Sequence, residues 1–134
     1  MAVPAKVEAR ISTQLKKYQA VLKAAKQRDI SEADTVTIIK DILADVLGYD
    51  KYKEVSSEHA IRGTYVDLVV TVDEKQRFLI EAKAINIELK DAHVKQAIDY
   101  AANEGITWVV LSNGAVWRLY CQKFGKPIEA ASEI

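Results

Sequence analysis

Apolar side chains recur at Ile11, Leu15, Tyr18, Leu22 and Ala25, spaced four, three, four and three residues apart. That spacing is one stripe of a helix and predicts one over about 5–28. Two heptads are too few for a free-standing coiled coil, so the stripe is expected to pack on the domain or on a second copy. "RDISEADT" breaks the pattern. Ser31 followed three residues later by Asp34 reads as a capping-box-like helix start, with an acid in the first turn. Val36, Ile39, Leu43, Val46 and Leu47 form the apolar face of this second helix, and Gly48 closes it.

From Tyr52 the period shortens. "KYKEVSSEHAI" is expected as a first strand, "TYVDLVVTV" as a second and "QRFLIEAKAI" as a third, with "DEK" the polar turn between the last two. "LKDAHVKQAIDYAANEG" then reads as a helix, with Asp91 near its start and Gly105 past its end. "ITWVVLS" and "AVWRLYC" are two more strands around an "NG" hairpin turn. The order ααβββαββ predicts an α/β fold of the α+β kind, a mixed central sheet flanked by helices.

The chain has 134 residues, the size of one domain. The pattern divides it into an N-terminal amphipathic helix over 1–30 and a single domain over 31–134. Nineteen basic and nineteen acidic side chains cancel, which argues against a protein that coats nucleic acid by bulk charge. Cys121 is the only cysteine, so a reduced, cytoplasmic setting is expected, with the thiol as a small buried hydrophobe. No segment has the apolar run of a signal peptide or a membrane span.

The chemistry gathers at "RFLIEAKAI", residues 77–85, where Glu81 and Lys83 interrupt an apolar run. Charges there are costly to bury unless paired or ligated. If Val72 pairs with Gln76 across a three-residue turn, Asp67 falls opposite Glu81. Opposed residues share a face at about 4.5–5.5 Å between Cβ atoms, and Lys83 shares it too. A slip by one residue would send Asp67 to the other face. Two carboxylates that close need a proton or a cation between them. Two readings follow: a salt-bridged pair on a solvated sheet face, or an oxygen-ligand site for a divalent ion of the Mg²⁺ kind. The opposed acid and the polar helix that follows favour the second. No zinc-type Cys or His spacing is present. On that helix His93, Gln96 and Tyr100 form one stripe, while Ala92, Ile98, Ala101 and Ala102 are available for packing.

Asp67, then "EAK" from Glu81 to Lys83, then "QAIDY" from Gln96 to Tyr100, resembles the PD-(D/E)xK nuclease signature with its Q-x-x-x-Y extension. "SEADTVTIIKDILADVLGYDKY", "IRGTYVDLVV" and "WVVLSNGAVWRLY" are similar to the N-terminal nuclease domain of type I restriction enzyme R subunits and its stand-alone relatives. The resemblance runs from about 31 to 121. It implies a restriction-endonuclease-like fold, with Asp67, Glu81 and the Ala82 carbonyl as ligands of Mg²⁺, for which Mn²⁺ would substitute, and Lys83 as the group that orients the attacking water. Gln96 and Tyr100 would support the site, and one of Glu32, Asp34 or Glu58 would supply a further acid. Val66 stands where the motif name has proline. Arg62, Lys90, His93, Lys95 and Lys123 are candidate DNA contacts. The R subunit continues into a motor, whereas these 134 residues hold no phosphate-binding G-x-x-x-x-G-K-[ST] loop, so a separate motor or specificity subunit is an expected partner.

Three functions stay in view: a Mg²⁺-dependent endonuclease acting on DNA, a catalytically silent nuclease-fold module that binds DNA or a partner protein, and an interaction protein dimerising through the first helix.

Overall fold

Both helices expected ahead of the sheet form in the computed structural model, at Ala5–Arg28 (α1) and Glu32–Asp45 (α2). The structure describes residues 3–61, 64–121 and 129–133, with 58–61, 64–65 and 129–133 described by backbone alone. Ser31 caps α2, its hydroxyl accepting the Asp34 N–H at 3.1 Å. This satisfies one of the orphan donors of the first turn.

The strands are β1 (Val55–Ile61), β2 (Thr64–Val72), β3 (Lys75–Ala82), β4 (Trp108–Ser112), β5 (Trp117–Cys121) and β6 (Glu129–Glu133). They form one sheet in chain order. Only the β3–β4 pair is parallel. A parallel pair needs a crossover, and here a 3₁₀ turn at Asp91–Val94 and α3 (Lys95–Glu104) supply it. Gly105 ends α3 at φ 73°, a left-handed position that glycine takes at no steric cost.

The sheet is mixed and flanked by helices, as the pattern predicts, but it has one strand more. The segment of β6, "EAASE", has little strand propensity of its own. It is a strand because it pairs with β5. Two turns also differ from expectation. Asp73 and Glu74, at φ 53° and 65°, make a two-residue turn of the primed type rather than a three-residue one. Val72 therefore pairs with Lys75, and a bulge between Val70 and Thr71 then moves the ladder by one residue. Beyond it Leu68 faces Ile80, the register that the longer turn would have given. The β4–β5 link, by contrast, is longer than a two-residue "NG" hairpin. The Asn113 side chain accepts the N–H groups of Ala115 and Val116 at 3.1 and 2.8 Å.

Each sheet face has its own core. Ile39 and Leu43 of α2 cover Leu68, Val70, Ile80, Ala82 and Val110. Val94, Ala97 and Ala101 cover Val66, Val69, Leu79, Val109 and Leu111 on the other face, with Ile98 and Tyr100 alongside. Burying one such Leu or Ile fully contributes about 1.5–3 kcal/mol. The stripe of α1 packs inside the chain. Tyr18 joins Ile42 and Val46 and donates its hydroxyl to the Asp45 carboxylate, while Ala25 joins Ile30 and Ile85. Leu15 points outward, 46% exposed.

Candidate active site

Strict alternation along β2 would send Val66 to the same side as Leu68. Instead Val66 packs into the α3-side core and Leu68 into the α2-side core. The alternation breaks at Asp67, one step beyond the Leu68–Ile80 pair. There the Asp67 side chain does what a neighbouring strand would otherwise do. Its Oδ2 accepts the Ala82 N–H at 2.8 Å. Asp67 also acts on the Glu81 carboxyl, raising its pKa chiefly through its negative charge. Lys83 Nζ lies 3.7 Å from Glu81 Oε2. The three residues expected to meet do meet. The break in β2, rather than simple alternation, brings Asp67 in.

Lys83 is not in the middle of a strand. The strand ends at Ala82, and the Lys83 N–H continues the pairing for one more bond, to the Ser112 carbonyl at 2.9 Å. The charges therefore gather where the sheet opens. They are only partly covered, with side chains 18% exposed for Glu81 and 26% for Lys83. Burial pushes the Glu81 carboxyl up to about 7, and the negative charge of Asp67 adds to the rise. Lys83 pulls it down and Glu32 pushes it further up. The site thus holds more negative charge than it can ionise comfortably at neutral pH.

Of the further acids, Glu32 borders the site. It lines a cavity of about 300 Å³ with Thr37, Lys40, Ser57 and Asp67. Asp34, two residues on, turns instead to a cavity beside α1, with Arg28 and Ile38. The side chain of Glu58 lies outside the described residues, as do Arg62 and Lys123. Among the described residues no group of three or more His, Cys, Asp or Glu forms a ready metal cage. Two carboxylates completed by water and phosphate suit Mg²⁺, which keeps several waters and seldom uses an all-protein cage.

On α3, Gln96 is exposed, and Tyr100 is half-buried against the core of Val69, Leu79 and Leu111. Burial raises the Tyr100 phenol pKa, helped by the Glu104 charge. Ala97 and Ala101 make the closest contact with the sheet, whereas Ala92 and Ala102 are exposed. Lys90 and Lys95 are exposed, and His93 is half-buried with its Nδ1 accepting the Lys90 N–H at 3.1 Å. The His93 pKa is lowered, by burial first and then by the charges of Lys83, Lys90 and Arg118. Arg118 is absent from the sequence-derived candidates. Its signal is one charge inside the apolar strand "WRLYC", the same kind of interruption that marks Glu81.

A mixed sheet with helices on both faces carries two carboxylates and a lysine at one strand end, an α+β domain with a concentrated charged site. The model of one family, described as the type I restriction enzyme R protein N terminus, matches residues 37–132, well over half of the chain. The chain belongs to that family, which sets it in restriction and modification. No curated protein and no solved structure matches it. Among the described residues no helix is long and apolar enough to cross a membrane.

Proposed function

We propose that the protein is a Mg²⁺-dependent endonuclease that hydrolyses phosphodiester bonds of DNA. The observation that carries this reading is the Asp67–Glu81 pair. Asp67 reaches the Ala82 N–H at 2.8 Å, next to Glu81, whose carboxylate lies 3.7 Å from Lys83; burial and the Asp67 charge push Glu81 up to about 7. A salt-bridged surface pair would leave both acids ionised beside their lysine. A pair that resists double ionisation suits a site completed by a divalent cation.

Asp67 and Glu81 would hold the ion, with the Ala82 carbonyl as a further ligand, and Mn²⁺ would substitute. When bound, the ion supplies Lewis-acid polarisation of the phosphate and lowers the pKa of a coordinated water. Lys83 orients the attacking water and offsets charge building on the phosphate oxygens. Glu32 supplies the further acid, because it contributes to the field at Glu81 and lines the cavity beside Asp67. Tyr100 and Gln96 support the lysine or the DNA backbone. Lys90, His93 and Lys95 contact phosphates, which position the strand without reading sequence. The protein works in the cytoplasm, with a motor or specificity subunit as partner.

The test is nicking of supercoiled plasmid with Mg²⁺, Mn²⁺ or EDTA. Metal-dependent nicking that is lost in Glu81→Gln and Lys83→Met supports the reading. A wild type that binds DNA but cuts nothing with either ion would leave a binding module in its place.

A further inference from the structure

Glu81 and Arg118 stand in one row across the sheet, Glu81 paired with Leu111 in β4 and Leu111 with Arg118 in β5. Paired residues share a face. Tyr120, two residues on from Arg118, is buried in the core on the α3 side, so Arg118 projects to that side too. Two strand spacings put it about 10 Å from the Glu81 position. Its guanidinium lies 3.7 Å from the Asp91 carboxylate, which also accepts the Tyr120 hydroxyl at 2.6 Å. The Asp91 side chain is 79% exposed and that of Arg118 only 27%. A partly buried guanidinium is therefore held at the rim of the site by a carboxylate that is mostly in water, with the Tyr120 phenol beside it. Lys83, Lys90 and Arg118 all act on His93, so the rim between the carboxylate pair and Arg118 is lined by positive charge.

We propose that Arg118 holds a neighbouring phosphate of the DNA strand being cut, and that Asp91 occupies the guanidinium until that phosphate displaces it. This rests on the nuclease reading above and extends its substrate contact to β5. A guanidinium binds phosphate through two parallel hydrogen bonds. A carboxylate at 3.7 Å whose side chain is mostly in water is a weak competitor, so a phosphate that meets the guanidinium with two hydrogen bonds displaces it. A carboxylate at that position also keeps the guanidinium oriented in the free protein.

The experiment measures binding of a short labelled duplex by anisotropy, with Ca²⁺ replacing Mg²⁺, at several salt concentrations. It compares the wild type with Arg118→Gln, Arg118→Lys, Asp91→Asn and the double variant Asp91→Asn with Arg118→Gln. Arg118→Gln should weaken binding about tenfold and reduce the slope of log affinity against log salt by about one. Arg118→Lys should keep the slope but lose part of the affinity, because the fork geometry is gone. Asp91→Asn should tighten binding by up to about fivefold, and that gain should vanish in the double variant. A purely structural Asp91–Arg118 pair predicts no gain from Asp91→Asn. If Arg118→Gln binds as the wild type does, while the wild type cuts plasmid with Mg²⁺, the Arg118 proposal is overturned and the nuclease reading stands. If Asp91→Asn gains equally in the double variant, the exchange is overturned, since bulk charge would account for the gain. A wild type that neither binds nor cuts overturns both. Were Arg118→Gln to misfold, Arg118→Lys decides: affinity unchanged from the wild type would overturn the proposal.

Discussion

The Asp67 carboxylate accepts the Ala82 backbone N–H at 2.8 Å, one step past the last β2–β3 pair. Asp67 therefore has two tasks, a structural one toward the strand end and an electrostatic one toward Glu81. Two substitutions separate them. Asp67→Asn keeps an oxygen for the Ala82 N–H and removes the repulsion, so in EDTA it should melt at or slightly above the wild type. Asp67→Ala leaves the N–H of the buried Ala82 without its acceptor and should lose about 1–3 kcal/mol. Both should cut plasmid at least about 100-fold more slowly, because a ligand is gone. Thermal melts in EDTA beside a nicking assay check this. A marked loss of stability in Asp67→Asn would return the site to the salt-bridge reading.

Glu81 makes stability depend on pH in a defined direction. Its carboxyl is raised from 4.5 to about 7 in the folded protein, so the folded state holds the proton longer than the unfolded chain. Its effect on stability therefore becomes less favourable as pH rises from about 4.5 to about 7 and changes little above that. Glu81→Gln should remove this part of the profile. The difference between wild type and variant in urea melts at pH 5, 6, 7 and 8 with EDTA isolates it. At pH 8, Mg²⁺ should stabilise the wild type and not the variant, since a ligand stabilises only the state that binds it.

Lys83 works in the opposite sense on the same carboxyl. Its charge pulls the Glu81 pKa down. Lys83→Met should therefore raise that pKa further above its ordinary value, readable as a displaced carboxyl titration in carbon-detected NMR. Cleavage should fall by about 100-fold or more. A Glu81 titration that does not move would show that the 3.7 Å contact carries no coupling.

Tyr18 and Leu15 of α1 stand in opposite environments, one buried and one exposed. Tyr18 is 5% exposed and donates to Asp45, so Tyr18→Phe should cost about 1.5–3 kcal/mol, the range for a hydrogen bond to a charged group. Leu15 is 46% exposed, and Leu15→Glu should change stability by no more than about 0.5 kcal/mol. Sedimentation of Leu15→Glu beside the wild type tests dimerisation through α1. A wild-type dimer that the substitution dissolves would assign Leu15 to an interface between copies.

Several features were legible because they are local. The stripe from Ile11 to Ala25, the Ser31 cap, the β-branched run of β2 and the Gly105 stop each follow from periodicity or from one residue's backbone preference. The meeting of Asp67, Glu81 and Lys83 was legible for a related reason. Charges in an apolar strand stand out, and the β2–β3 hairpin is short enough for its register to be reasoned from the turn. Even so, the register came through a route the residues did not announce, a two-residue turn at Asp73 and Glu74 offset by a bulge at Val70 and Thr71.

By itself the sequence determined the helices, five of the strands and the residue types of the site, because helical and strand periods and capping chemistry act over a few residues. Tertiary structure decided the rest. It made a strand of "EAASE" by giving it an edge to pair with, and it turned Glu32 toward Asp67 and Asp34 toward α1. It broke the alternation of β2 so that Asp67 reaches Ala82, and it carried Arg118 to the rim across two strands. These depend on where separate segments meet in space. A pairing or a field between residues far apart in the chain exists only once packing has brought them within a few ångströms, and no local pattern encodes that distance.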